Sequence, residues 1–129
     1  MYTINPKINN QLLIWLTSMF WIVSIMIVVG GLTRLTDSGL SITKWQLFSG
    51  FLPPLNQKDW INYFNLYQEI PEFKLQNYNM NIHEFKIIFW WEWAHRFLGR
   101  LIGIGFLIPL IYFSFKAKIS SLANLYLIF

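Results

Sequence analysis

Two long apolar segments limit what this chain can fold into. The first, residues 12–33, is an uncharged run of 22 residues. As an α-helix it would be about 33 Å long, close to the thickness of the hydrocarbon core of a bilayer. The second apolar segment follows Asn81 and extends to about Phe115. Both lengths predict membrane-spanning helices.

The composition also indicates a membrane protein. Hydrophobic residues make up 55% of the 129 residues and charged residues only 12%, whereas soluble domains carry about 25% charged residues. The net charge of +4 comes from scattered basic residues, so no basic stripe for nucleic acid is present. The chain has no cysteine, which excludes disulfides, thiolate metal sites and cysteine nucleophiles.

A cleaved signal peptide is the alternative for the first segment. Its apolar run is longer than the about 7–15 residues of a signal peptide, and no small-x-small cleavage site accompanies it. We therefore interpret it as a membrane helix. Gly30 and Gly31 near its end fit either a C-terminal cap or the close packing of a neighbouring helix. Arg34 can extend to the membrane interface.

The second helix has a recognisable start. Asn81 can cap it, and Glu84 three positions later can reach back to Asn81, as in a capping box. A helix from there to Phe115 is longer than a bilayer needs, so its first turns should stand in the outer interface. Lys7 and the lysines that follow this helix place both chain ends in the cytoplasm or matrix by the positive-inside tendency.

These features predict an order of segments along the chain. The last apolar run stops at Phe129 without a cap or a charged tail, so we expect a truncated chain. The predicted segments are a cytoplasmic N-terminus at 1–11, a membrane helix at 12–33, an extracytoplasmic loop at 34–81 with a short amphipathic helix, a long membrane helix at 82–115, a cytoplasmic turn at 116–120 and the start of a third membrane helix at 121–129.

The short helix of the loop carries an aromatic stripe. Trp60, Tyr63, Phe64 and Tyr67 follow the i, i+3, i+4, i+7 spacing of one helical face. Pro71 should stop this helix. The stripe suits a helix that lies on the bilayer surface or over a site, and equally one that packs against the tops of the membrane helices.

The second membrane helix contains the side chains that are best suited to bind a cofactor or take part in a reaction. Glu92, His95 and Arg96 project from one side of it, and Gly99 and Gly103 follow His95 at +4 and +8. A flat, bulky group could lie against the bare backbone beneath the imidazole, and a porphyrin is such a group. Arg96 and, one turn later, Arg100 could pair with the propionates of a haem.

The same residues could instead have purely structural roles. Glu92 and Arg96 could form an ion pair at the interface, the two glycines could be a helix contact, and His95 could be a packing residue. A metal pair also fits the spacing of Glu92 and His95, but it normally needs carboxylates from other helices. His83 in the first helical turn is interpreted as solvated or structural.

Three segments of the sequence carry a resemblance to a known family. They are GGLTRLTDSGLSITKWQLFSGFLPPLN (residues 30–56), IPEF (residues 70–73) and EFKIIFWWEWAHRFLGRLIG (residues 84–103). In this order they resemble the haem A synthase family of cytochrome oxidase assembly enzymes, in its mitochondrial and alphaproteobacterial branch. The branch with a cysteine pair in its outer loop is not matched.

The resemblance implies a fold and a reaction. The fold is an all-α integral membrane bundle of eight helices in two four-helix halves, of which this chain would supply two complete helices and the start of a third. Family members oxidise the methyl group of haem O to the formyl group of haem A, in the inner membrane of bacteria or mitochondria. Two hydroxylations leave a geminal diol that loses water, and the electrons leave through haem b.

The resemblance also assigns residues and partners. The Glu-x-x-His-Arg motif makes His95 an axial ligand of haem iron, with the second ligand from the fourth helix, and maps a functionally important glutamate onto Glu92. We hypothesise that this carboxylate accepts a proton or stabilises cationic character as the methyl group is oxidised. The substrate is haem O, the surrounding lipid is a partner, and haem O synthase and a second copy of the chain are further candidates. The electron acceptor is not identified. Without the other helices, we expect this fragment to be inactive.

Two other functions fit parts of the same pattern. A b-type electron-transfer subunit with bis-histidine haem would use His95 equally well, but it has no need of a carboxylate one turn away. A non-catalytic scaffold would use the stripe of His95, Gly99 and Gly103 only for packing, and it predicts no haem.

Overall fold

The computed structural model describes residues 6–44 and 49–116, and within these ranges it is all-α, as predicted. The predicted turn beyond Lys116 and the predicted third helix lie outside the described residues. The helices are α1 (Pro6–Leu35), a short 3₁₀ turn (Ser49–Phe51), α2 (Gln57–Gln68), α3 (Pro71–Leu75) and α4 (Ile82–Lys116).

Two of these helices are long and apolar enough to cross a membrane. They are Asn10–Leu35 of α1 and Ile82–Phe115 of α4. Both expose large apolar side chains, such as Phe20 and Ile108. In a bilayer this surface would be in contact with lipid chains, which removes the cost of exposing it to water.

Helix α1 extends past the two glycines near its end and stops in another way. Asp37 adopts a left-handed conformation with φ of 49°. Ser38 N donates to Thr33 O at 2.9 Å and Asp37 N donates to Arg34 O at 3.3 Å, the pattern of a Schellman cap. The C-cap interpretation of Gly30 was therefore wrong, because the backbone at Asp37 supplies the left-handed residue that ends the helix.

The predicted capping box at the start of α4 is confirmed. Asn81 Oδ1 accepts from Glu84 N at 3.1 Å, and Glu84 Oε2 accepts from Asn81 N at 2.9 Å. We expect Asn81→Ala to lower the free energy of unfolding by about 1 kcal/mol, because the first turn loses its side-chain acceptor. Denaturant titration in detergent measures this effect. Asn79→Ala, in the preceding turn, is the control, and an equal loss in both variants would contradict the capping role.

The described residues divide into two compact units. The first falls within Met1–Ile25 and Gly99–Phe129, and the second within Met26–Leu98. In the first unit, Trp15 and Phe113 are buried side by side with ring centroids 5.6 Å apart. The Trp15 indole N–H donates to Gly105 O at 2.8 Å, so the polar group of this buried side chain is satisfied.

The second unit has an aromatic core between α2 and the first turns of α4. Trp60 packs on Phe89 with centroids 4.9 Å apart, and Tyr67 packs on Phe85 at 5.2 Å. Both Tyr67 and Phe85 are fully buried. The aromatic stripe therefore packs against α4, the second of the two predicted arrangements, and its face is not free to lie on a bilayer. Helix α2 ends at Gln68, and Pro71 begins α3.

Candidate functional site

Glu92 is the centre of a buried polar cluster on α4. Only 3% of the residue is exposed. Its Oε2 accepts hydrogen bonds from Ser41 Oγ at 2.6 Å and from Ile42 N at 2.7 Å. Its Oε1 forms an ion pair with Arg96, and Arg96 Nη2 donates to Ile42 O at 2.9 Å. The carboxylate thus has donors on both oxygens, which is what a buried charge requires.

The two donors to Oε2 come from residues 38–42, which we call the strap. The strap follows the end of α1 and crosses Glu92. Ser38 and Ser41 are both buried, and Ser41 N donates to Ser38 O at 3.3 Å. The Ser38 hydroxyl shares a hydrogen bond of 2.6 Å with the Thr36 hydroxyl. Hydrogen bonds of short polar side chains therefore stabilise this turn. The Ser41 hydroxyl and the Ile42 N–H are the groups that it directs at the carboxylate.

His95 lies one helical turn beyond Glu92 and faces α1. A Cβ atom placed on Gly30 would lie 3.0 Å from His95 Nε2 and 3.3 Å from Cδ2. The imidazole therefore occupies space that only glycine leaves open at this point of α1. Close packing of a neighbouring helix on Gly30 is confirmed, and the contact is with His95. A Cβ on Gly31 would meet no described atom within 4 Å.

These residues line an open cavity in the second unit. Its volume is about 530 Å³, within the range of about 300–1,000 Å³ that small-molecule sites occupy. Helices α1, α3 and α4 and the strap all contribute to it. The lining residues are Gly30, Thr33, Arg34, Asp37, Gly39, Leu40, Glu72, Gln76, Glu92, His95 and Arg96.

The structure brings together Glu92, His95 and Arg96, which are three of the six site residues predicted from the sequence. Arg96 is engaged by Glu92 and Ile42, so the ion-pair alternative describes its geometry, and a contact with propionate stays a prediction. The nominated residues Gly99, Arg100 and Gly103 belong to the first unit, and their cofactor contacts also stay predictions. At Gly103 an added Cβ would meet no described atom within 4 Å.

Three charged residues of the cavity were not nominated from the sequence. They are Arg34 and Asp37 from the end of α1 and Glu72 from α3. Arg34 and Asp37 belong to the segment of residues 30–56 and Glu72 to the IPEF segment, so the family resemblance was the signal available for all three. Burial raises the pKa of the Glu72 carboxyl above its usual range, and the negative charges of Asp37 and Glu92 raise it further.

The donor set suits an iron that is already chelated. No group of three or more His, Cys, Asp or Glu side chains in the described part of the chain could hold a bare metal ion. A haem iron needs only one or two axial ligands from the protein, and imidazole is a common one. His95 provides that nitrogen at a cavity wall where Gly30 carries no side chain. The residues present therefore fit a haem.

Comparisons with known proteins identify the family of the chain. The model of the family described as cytochrome oxidase assembly protein matches residues 13–129. A protein named heme A synthase from Pelagibacter ubique is 51% identical over 118 residues, which is 92% of this chain and 35% of that protein. One of the same name from Parvibaculum lavamentivorans is 54% identical over 99 residues, 77% of this chain and 29% of that protein.

A third relative, named heme A synthase in Dinoroseobacter shibae, is 58% identical over 91 residues, 70% of this chain and 24% of that protein. The chain thus spans about a third of the length of the curated relatives it matches. No solved structure matches it. The predicted resemblance, including its alphaproteobacterial branch, is confirmed. This chain belongs to the cytochrome oxidase assembly protein family, a family of membrane proteins.

Proposed function

We propose that this chain is part of a haem A synthase, an oxidoreductase that converts the methyl group of haem O into the formyl group of haem A for cytochrome c oxidase. One observation carries the proposal: His95 presents an imidazole at the wall of a cavity that also holds carboxylates. The names of the relatives agree with it. The site would lie in the bacterial inner membrane, towards its outer face.

His95 would hold a haem by its iron. Haem b is the proposed cofactor and haem O the proposed substrate. A bound haem would supply one-electron chemistry at the iron and in this way remove electrons from the site. The residues of this chain would orient it: Gly30 leaves the imidazole its position against α1, and the cavity of about 530 Å³ beside His95 would receive part of the planar group.

Glu92 would act as a fixed negative charge. Ser41 Oγ, Ile42 N and Arg96 hold its two oxygens in place, so the orientation of the carboxylate is fixed by three donors. A carboxylate held in this way can stabilise positive charge that develops as the methyl group is oxidised, because the charge is already oriented before the reaction. We propose this electrostatic role as the catalytic function of Glu92.

The test is the product that the complete protein makes. The full-length gene product is expressed in a membrane that contains haem O, and the haems are extracted and separated. We expect haem A with the parent protein, and none with His95→Ala because the iron ligand is removed. His83→Ala is the control, since the His83 side chain is exposed at the start of α4; this variant should match the parent.

Other results would contradict the proposal. Bound haem in the parent protein without any haem A would indicate a b-type electron-transfer subunit. A parent protein that binds no haem would indicate a scaffold.

A further inference from the structure

The two glutamates of the cavity differ in their bonding. Glu92 is closed in by the strap and Arg96, with donors on both oxygens. Glu72 reaches the same cavity from α3, and its carboxylate makes no hydrogen bond or ion pair with any residue in the described part of the chain. In this arrangement Glu72 is the glutamate that is available to take up a proton.

The IPEF segment fixes the position of Glu72. Pro71 is the first residue of α3 and sets its start. The Phe73 ring packs on Tyr67 with centroids 5.6 Å apart, and Tyr67 is fully buried. The Tyr67 hydroxyl in turn accepts from Asn77 Nδ2 at 2.8 Å, just after α3. The segment on both sides of Glu72 is therefore anchored, which holds its side chain at the cavity wall.

We propose that Glu72 is the proton-exchanging group of this site, an inference that rests on the proposed function. A proton leaves an O–H group of water or substrate in the cavity and forms an O–H bond with the Glu72 carboxylate. The acid then gives the proton to solvent water at the cavity mouth, and the carboxylate is restored. No electron is transferred in this step.

Glu72 shares the cavity with titratable and charged residues from two other helices. These are Arg34 and Asp37 from the end of α1 and Glu92, His95 and Arg96 from α4. Tyr67 from α2 interacts electrostatically with Glu72.

Burial, and then the charges of Asp37 and Glu92, raise the pKa of Glu72. A proton acceptor works best when its pKa lies near the working pH, and an upward shift moves a carboxyl in that direction.

The raised pKa has a consequence for stability. The folded protein holds the Glu72 proton more tightly than the unfolded chain does, so this group's contribution to stability is lost as the pH rises through the folded pKa. Glu72→Gln should therefore be at least as stable as the parent above that pH, so we expect any loss of turnover to occur in a folded protein.

The experiment uses the full-length protein in membranes that contain haem O. We expect Glu72→Gln to make haem A about 100-fold more slowly than the parent, the usual order of a general acid–base contribution. Its bound haem and optical spectrum should be unchanged. Glu72→Asp should recover part of the rate. Glu69→Gln is the matched control, because Glu69 is an exposed residue beside α2.

The pH profile adds a second criterion. The rate of the parent should rise as the pH increases through the pKa of Glu72, and this rise should be absent in Glu72→Gln. A variant with the parent's rate and pH profile would overturn the proposal. So would a slow variant that has also lost its haem, since that result indicates a structural role.

Infrared difference spectra over a pH titration test the proposal without turnover. A carboxylic acid band that titrates in the parent and disappears in Glu72→Gln would support it, and an unchanged band would overturn it. This readout separates the two ideas: a parent protein that makes no haem A contradicts the proposed function, while the infrared band still decides whether Glu72 exchanges protons in the cavity.

Discussion

Glu92→Ala should lower the free energy of unfolding by about 3–5 kcal/mol, the usual cost of removing one partner of a buried ion pair. The side chain is buried and holds Ser41, Ile42 and Arg96 at once. Its removal takes the acceptor from Ile42 N and leaves the Ser41 hydroxyl only the longer contact with Ile88 O at 3.4 Å. It also leaves the Arg96 guanidinium without its counter-charge. The strap should then detach from α4.

Graded variants separate the contributions to this loss. Ser41→Ala removes one hydrogen bond to a charged acceptor and should cost about 1.5–3 kcal/mol. Glu92→Gln keeps an acceptor oxygen but loses the charge, so we expect an intermediate value. Because Ser41 and Glu92 are in direct contact, the double variant should cost less than the two single losses added together.

Denaturant unfolding in detergent measures these free energies. Glu69→Ala is the control for removing a carboxylate from an exposed position, and it should unfold like the parent. If Glu92→Ala also unfolds like the parent, the strap is not held by this carboxylate. The same membranes can be analysed for bound haem, since a detached strap would open the cavity wall next to His95.

Gly30→Val should weaken haem binding at His95 by about 10–100-fold, the usual effect of disturbing the groups that orient a metal ligand. Even a single Cβ at this position would lie 3.0 Å from His95 Nε2, closer than carbon and nitrogen normally approach without a bond. The two methyl groups of valine add to the overlap. The imidazole must rotate or α1 must move away, and Gly30→Ala should have the same effect in weaker form.

Gly31→Val provides a matched control for this prediction. It lies one residue further along the same helix, and a Cβ there meets no described atom within 4 Å. It should bind haem like the parent. Haem per protein is measured by optical absorption, and circular dichroism verifies that each variant is folded. Equal haem content in Gly30→Val and Gly31→Val would show that the contact between Gly30 and His95 does not position the ligand.

The two variants also separate structure from chemistry. Gly30→Val changes no polar or charged group, so a loss of haem in this variant has a steric cause: a shift of His95 or of α1, or the volume that valine takes from the cavity that Gly30 lines. Glu92→Ala changes both a charge and the strap. A variant that keeps its haem but makes no haem A would assign Glu92 to the chemistry, whereas loss of haem together with stability would assign it to the support of the cavity.

The comparison between sequence and structure is clearest at the helix ends. The capping box of Asn81 and Glu84 was predictable because both partners lie within one turn, and the structure confirms it. At the end of α1 the sequence left two alternatives for Gly30 and Gly31, a cap or a helix contact. The left-handed residue is Asp37, and Gly30 makes the helix contact. Glycine tolerates that conformation and does not require it, so its presence alone does not locate a helix end.

At the site, too, local features were predictable from the sequence and long-range contacts were not. Periodicity along one helix predicted that Glu92, His95 and Arg96 share a side, because 3.6 residues per turn is a local property. It could not show that Ser41, 51 residues away, donates to Glu92, or that Gly30 receives the imidazole. Glu72 lies in the IPEF segment of the family resemblance, but nothing local indicated that α3 places it at the cavity.

The sequence by itself determined that the chain forms apolar helices long enough to span a bilayer, where α4 begins, and that an acid, an imidazole and a guanidinium lie together on it. These follow from hydropathy, capping and helical spacing, which depend only on neighbouring residues. Tertiary structure alone decided that the strap closes on Glu92, that α1 is bare where His95 approaches and that Glu72 completes the cavity, because each of these contacts joins segments far apart in the chain.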